Sequence, residues 1–137
     1  MLVKILNKLL EYSNKYIVVK YDFNLQIPAF SFIDTDINDR FVPTIVLNPN
    51  NYPQDENVIA HILGHEWGHH VLGHIKVPTD INRDYNESHI LRDKKEDEAD
   101  AYAAGFIKEF FYNKKPIIDF INNTSPYPSK RISILEI

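Results

Sequence analysis

The stretch DENVIAHILGHEWGHHVLGH, residues 55–74, decides the fold of this chain and carries five of its six histidines, four of them within 65–74. Asp55 lies where a helix N-cap is expected, and the acidic Glu56 follows in the first turn. The apolar residues that follow recur at helical spacing: Val58, Ile59, Ile62, Leu63, Val71 and Leu72. The pattern predicts a helix over 56–74 that ends before Pro78.

Two histidines of this predicted helix are spaced to bind a metal. His65 and His69 are four residues apart, so their side chains lie one above the other on one helix face. At that spacing both imidazoles can bind one zinc ion, with Zn–N distances of about 2.0–2.1 Å. Glu66 lies beside the open coordination position and can take a proton from a water that zinc activates. The segment predicts His65 and His69 as zinc ligands and Glu66 as the catalytic base.

Catalytic zinc usually has three protein ligands, so a third ligand is needed. A second sequence signal is also needed, because a chance His-Glu-x-x-His match in this chain has a probability on the order of one in a hundred. The stretch EDEADAYAA, residues 96–104, supplies it. Glu96 and Asp100 are four apart at the start of an apolar helix face, where a buried carboxylate pair requires compensation. We expect Glu96 to complete the zinc site, and Asp100 to accept the remaining ring N–H of a ligand histidine.

Neighbouring side chains leave alternatives open. Glu98 is a rival to Glu96 as the ligand, on a different face of the same predicted helix, and Asp97 is expected to be solvated. The remaining histidines of the first segment are favoured as packing or surface residues over ligands: His61, His70 and His74. The sequence does not choose among three candidates for stabilising an oxyanion: Tyr85, His89 and Tyr102.

Composition excludes several classes of function. The 137 residues, 44% of them hydrophobic, predict one domain spanning 1–137. A net charge of −4 with dispersed basic residues disfavours direct binding of nucleic acid or anionic lipid. Cysteine is absent, which restricts a metal site to nitrogen and oxygen ligands and fits a reducing cytoplasm. No run approaches the roughly twenty apolar residues that span a bilayer, so we expect a soluble cytoplasmic protein.

The flanking segments predict the other elements. Residues 1–16 have the pattern of an amphipathic packing helix rather than a secretion signal. Residues 77–91 show no period and predict a long connection, after which the helical pattern resumes at Arg92. Three segments rich in β-branched and aromatic residues predict strands: YIVVKYDF (16–23), AFSFID (29–34) and TIVLNP (44–49). Two shorter helices are expected near the end: IIDFIN (117–122) and SKRISILEI (129–137).

The fold class expected from these elements is α+β, with a small three-stranded sheet packed on the active-site helix and further helices around it. The two metal-site segments, 58–74 and 96–107, resemble the ImmA/IrrE family of gluzincin-type zinc metallopeptidases. That family shows His-Glu-x-Gly-His running into Leu-Gly-His, then Glu-x-x-Ala-Asn or Glu-x-x-Ala-Asp before Phe-Ala or Tyr-Ala. The matching residues are Gly68, Leu72, Gly73, His74, Glu96, Ala99, Asp100, Tyr102 and Ala103. The resemblance implies a zincin-like fold.

It also implies a soluble zinc-dependent endopeptidase that cleaves a transcriptional repressor at a specific site and so relieves repression of mobile-element, phage or stress genes. A helix-turn-helix repressor is the implied partner. The ending 124–135, which contains Arg131, also resembles that of HtpX-type peptidases, which implies a different substrate. The candidate substrate-holding edge of the sheet is 44–49, where a peptide would bind as an added strand.

A non-catalytic alternative is an antirepressor or other binding module that keeps the zincin frame and acts by sequestration. Glu66 argues against it, because a structural zinc site does not need an unligated carboxylate at that position.

Overall fold

The computed structural model describes residues 1–77 and 89–137. Most of the connection predicted over 77–91 lies outside the described residues. The described residues form five α-helices and three strands, with a short 3-10 turn at Pro49–Asn51. In chain order they are α1 (Leu2–Ser13), β1 (Val18–Tyr21), β2 (Ala29–Thr35), β3 (Phe41–Leu47), α2 (Glu56–Val71), α3 (His89–Glu109), α4 (Lys114–Thr124) and α5 (Pro128–Leu135). The predicted α+β class and the three strands are confirmed.

The sheet has the order β1-β3-β2, with β1 parallel and β2 antiparallel to β3. Ile45 in β3 pairs with Val19 on one side and with Ser31 on the other. The expectation that 44–49 forms a substrate-holding edge is therefore wrong, because both sides of β3 are already paired. Among the described residues, the edge strand that lies beside α2 is β2.

Both ends of α2 follow from side-chain and backbone chemistry. The Asp55 carboxylate accepts the backbone N–H groups of Asn57 and Val58, at 2.8 and 3.2 Å, and caps the helix as expected. The helix ends at Val71, three residues before the predicted end. Gly73 takes a left-handed φ of 73°, which an L side chain disfavours, and this turn ends the helix before Pro78 is reached.

The core surrounds α2, which packs against α1, α3, α4 and the sheet. Gly64 lets α3 approach closely, since a Cβ placed there would lie 3.3 Å from Cα and Cβ of Ala103. This approach brings polar side chains of the two helices within reach of one another. The largest fully buried side chains include Trp67, Phe106, Ile5, Leu9, Ile45 and Leu47. No helix among the described residues is long and apolar enough to cross a bilayer.

Candidate metal centre

Three of the predicted site residues meet at one point in a cleft between α2 and α3. His65 Nε2 lies 3.1 Å from His69 Nε2 and 3.0 Å from Glu96 Oε2. His69 Nε2 lies 3.2 Å from Glu96 Oε1. Among the residues that the structure describes, these three form the group of His and acidic side chains suited to a metal ion. The i,i+4 spacing on α2 stacks the two imidazoles, and the close approach of α3 supplies the carboxylate.

The donor set fits zinc in chemistry and in spacing. Two imidazole nitrogens and one carboxylate oxygen are ligands that catalytic zinc sites use, and ligand atoms of a tetrahedral zinc stand about 3.3 Å apart. The three separations here are 3.0, 3.1 and 3.2 Å. The Glu96 side chain lines the cleft and is 59% exposed.

The electrostatics of this point favour positive charge. Burial alone would lower the pKa of His65, but hydrogen bonds with Asp100 and Glu96 outweigh burial and raise the pKa to about 10. Burial likewise would raise the pKa of Glu96, but its bonds with His65 and His69 hold that pKa well below the ordinary value. A divalent cation would take the place of the shared proton, as metal binding to histidine requires.

Asp100 holds His65 from the side away from the other donor atoms. His65 Nδ1 donates to Asp100 Oδ1 at 2.7 Å, which leaves Nε2 to face His69 and Glu96. Arg131 on α5 donates to the same carboxylate twice, from Nε at 2.8 Å and from an Nη at 2.9 Å. Burial would raise the pKa of Asp100, but the bonds from His65 and Arg131 keep it well below the usual range. Arg131 was not predicted at this site, because it lies 31 residues beyond Asp100 and belongs to no local motif with it.

Glu66 lines the same cleft and is held from the sheet. Its Oε2 accepts a 2.9 Å hydrogen bond from Ser31 Oγ in the edge strand β2. The bond ties the predicted base to the strand that borders the cleft. Ser31 was missed from sequence because it lies 35 residues before Glu66 and belongs to no local motif.

Replacing Ser31 with alanine should reduce any hydrolysis that uses Glu66 as the base by up to about tenfold, because the Glu66 carboxylate would lose one hydrogen bond that orients it. Zinc content should not change, since Ser31 contacts none of the three donor side chains in the described hydrogen bonds. Steady-state cleavage and metal analysis of the variant measure the two effects. A threonine at 31 keeps the hydroxyl and should retain most of the activity. Equal activity of the alanine variant and the parent would contradict this role.

Glu98, the rival ligand, makes a different contact. Its Oε2 lies 3.0 Å from His74 Nε2, whereas the contacts of Glu96 are with His65 and His69. His74 in turn lies with Nδ1 3.0 Å from His69 Nδ1, and its side chain is only 6% exposed. His74 is thus neither a donor at the metal point nor a free surface residue.

The other candidates lie apart from the metal point or outside the described residues. Burial lowers the pKa of His61 to about 3, so this imidazole in the cleft wall is neutral. His70 is buried against the sheet and donates from Nε2 to Thr44 O at 3.0 Å.

Tyr102 packs its ring 5.4 Å from that of Tyr12, away from the cleft lining. Asp97, expected to be solvated, is partly exposed and pairs with Lys130 at 2.7 Å. Tyr85 and the side chain of His89 lie outside the described residues.

The cleft has a volume of about 1240 Å³ and brings together three metal donors, an unligated carboxylate and an edge strand. This arrangement can hold a cation, move a proton and seat an extended chain in one place. No family model, no curated protein and no solved structure matches this chain.

Proposed function

We propose that this protein is a zinc-dependent endopeptidase with a zincin-like fold. The observation that carries the proposal is the meeting of His65, His69 and Glu96 beside Glu66, whose carboxylate takes no part in the donor cluster. A structural metal site does not need such a carboxylate, whereas hydrolysis needs a proton acceptor next to the metal. The alternative of a binding module without catalysis does not account for Glu66.

The residues of the chain divide the chemistry between them. A zinc ion bound here would supply Lewis acidity, which acidifies water and polarises a peptide carbonyl. Glu66 accepts the proton of the attacking water and then passes it to the nitrogen of the leaving amine. The bond from Ser31 to Oε2 orients the carboxylate and leaves Oε1 to receive that proton. Asp100 fixes the ring of His65 so that Nε2 faces the donor cluster.

The proposed substrate-binding site is the edge of β2 that has no strand partner among the described residues. The backbone N–H of Asn48 donates to Pro28 O, and that of Asp36 donates to Arg40 O, each at 3.0 Å. In antiparallel pairing such bonds alternate, so the backbone groups of Ala29 and Ser31 face away from β3. An extended peptide bound there as an added strand runs past Glu66, since Ser31 touches that side chain.

The proposed substrate is a transcriptional repressor with a helix-turn-helix DNA-binding domain. The proposed location is the cytoplasm. The substrate proposal is supported by the resemblance of residues 58–74 and 96–107 to the ImmA/IrrE family, which implies cleavage of a repressor. The competing proposal is an HtpX-like peptidase that acts on a different substrate. The resemblance of residues 124–135, which contain Arg131, to the C-terminal sequence of HtpX-type peptidases favours it.

Capture from cells that contain the protein tests the function and finds the substrate together. Immobilised Glu66→Gln protein should retain an intact protein that the parent retains only as fragments, because the variant keeps the binding edge and lacks the base. Mass spectrometry identifies the captured chain and its ends. Capture of the same intact protein by both forms, with no fragments, would reject the peptidase and support sequestration.

A further inference from the structure

The second ligand histidine has its own chain of contacts, separate from the one that holds the first. His69 Nδ1 lies 3.0 Å from His74 Nδ1, and His74 Nε2 lies 3.0 Å from Glu98 Oε2. The His74 side chain is 6% exposed, whereas that of Glu98 is 41% exposed at the outer end of the chain. The contacts therefore run from the donor cluster, through a buried imidazole, to a partly solvated carboxylate.

The donor and acceptor capacities of these groups fix the direction of each hydrogen bond. Two Nδ1 atoms at 3.0 Å form a hydrogen bond only when one of them carries a proton. A histidine that binds metal through Nε2 carries its proton on Nδ1, so His69 donates and His74 accepts. His74 then carries its proton on Nε2 and donates it to Glu98. In this arrangement each of the two ring N–H groups has an acceptor.

The end of α2 places His74 at this position. Gly73, at φ 73°, donates its N–H to His70 O at 3.2 Å, and His74 donates its backbone N–H to His69 O at 2.9 Å. These are the two bonds of a Schellman motif, which turns the chain back over the last helical turn. The left-handed glycine thereby brings the residue after it against His69, five positions earlier. The Leu-Gly-His sequence at 72–74 therefore places a histidine side chain beside one of the metal donors.

We propose that His74 is the positioning residue for His69, with Glu98 as its anchor, so that each ligand histidine is oriented by a separate partner. Asp100, held by Arg131, orients His65, and His74, held by Glu98, orients His69. This inference rests on the proposed metal site. Partners of this kind fix the ring and raise its basicity, and their loss typically weakens metal binding by about 10- to 100-fold.

Two substitutions at His74 separate positioning from packing. His74→Leu fills the space but cannot accept the proton of His69 Nδ1, so the zinc dissociation constant should rise by about 10- to 100-fold. His74→Asn can place Oδ1 where Nδ1 stands and should restore the affinity to within about fivefold of the parent's. Competition with a chromophoric chelator measures the constants. The visible absorption of the Co²⁺-loaded protein reports ligand geometry and should shift in the leucine variant and return in the asparagine variant.

His70→Asn is the matched control, since His70 is the adjacent buried histidine and its ring bonds to Thr44 instead of a ligand. The folded control should bind zinc within about threefold of the parent. Glu98→Ala removes the acceptor of His74 and should weaken zinc binding by about three- to tenfold, whereas Glu98→Gln keeps an acceptor and should weaken it less. Equal affinity of the parent and Glu98→Ala would overturn the anchor role. These two variants test the anchor even where His74→Leu does not fold.

The outcomes distinguish this inference from the metal site on which it rests. A parent protein that binds zinc, with His74→Leu binding it as tightly, overturns the positioning role alone. Equal losses in His74→Leu, His74→Asn and His70→Asn also overturn it, because they indicate general packing. A parent that binds no zinc overturns the metal site itself.

Discussion

Glu66→Gln should lower peptide cleavage by on the order of a hundredfold or more, while zinc content and thermal stability stay near those of the parent. Glutamine has nearly the shape of glutamate and can still accept the Ser31 hydrogen bond, so the cleft should keep its geometry. It cannot take up a proton at neutral pH, which removes the step assigned to the carboxylate. Substrate binding should survive, because the substitution does not change the proposed binding edge of β2.

The measurement pairs two readouts for parent and variant. Mass spectrometry follows substrate fragments, and a reporter under the control of the repressor follows biological output. Glu56→Gln is the matched control, because Glu56 lies in the first turn of the same helix, far along α2 from the donor cluster. Loss of both fragments and reporter output in Glu66→Gln, with zinc retained, supports the base. Reporter output that persists in the variant, with no fragments from either protein, rejects the peptidase.

Purified protein should bind about one zinc ion per chain, and His65→Ala or His69→Ala should abolish that binding at micromolar zinc. Each change removes one of three donors that meet within 3.2 Å. Elemental analysis of dialysed protein gives the stoichiometry. Full zinc content in both variants would contradict the assignment of these histidines.

Two glutamates on α3 provide an internal comparison for the third ligand. Glu96→Ala should weaken zinc binding by about a hundredfold or more, because it removes a direct ligand. Glu98→Ala should weaken it by no more than about tenfold, because the described contact of Glu98 is with His74 and not with a donor side chain at the metal point. Chelator competition on both variants decides the matter. The reverse order of effects would mean that Glu98 is the ligand.

Local patterns in the sequence were sufficient to predict where the helices lie, apart from the end of α2, and which residues of α2 and α3 share a helix face at the cleft. His65 with His69, and Glu96 with Asp100, are i,i+4 pairs whose relative placement follows once a helix is predicted. The end of α2 was placed three residues too late because Pro78 was taken as the stop. Gly73 was the earlier signal, since a glycine after an amphipathic run commonly ends a helix.

Non-local pairing explains what the sequence could not supply. The segment 44–49 reads as an apolar strand, but its pairing partners lie elsewhere in the chain and no pattern within the segment identifies them. A strand paired on both sides is typically as apolar as β3, so its composition fits the centre better than the edge. Ser31 and Arg131 were missed for the same reason, because the sheet and α5 bring them to residues more than 30 positions away.

If a peptide binds as a strand along the edge of β2, the alternation of its side chains determines which of its positions the protein can select. Along a strand added to that edge, successive side chains point to opposite faces, one towards α2 and the cleft and the next towards solvent. Substitutions scanned through the cleaved segment of a substrate should therefore alternate between restrictive and permissive positions with a period of two. The cleavage motif of such an enzyme would specify every second residue of the substrate instead of a run of consecutive residues.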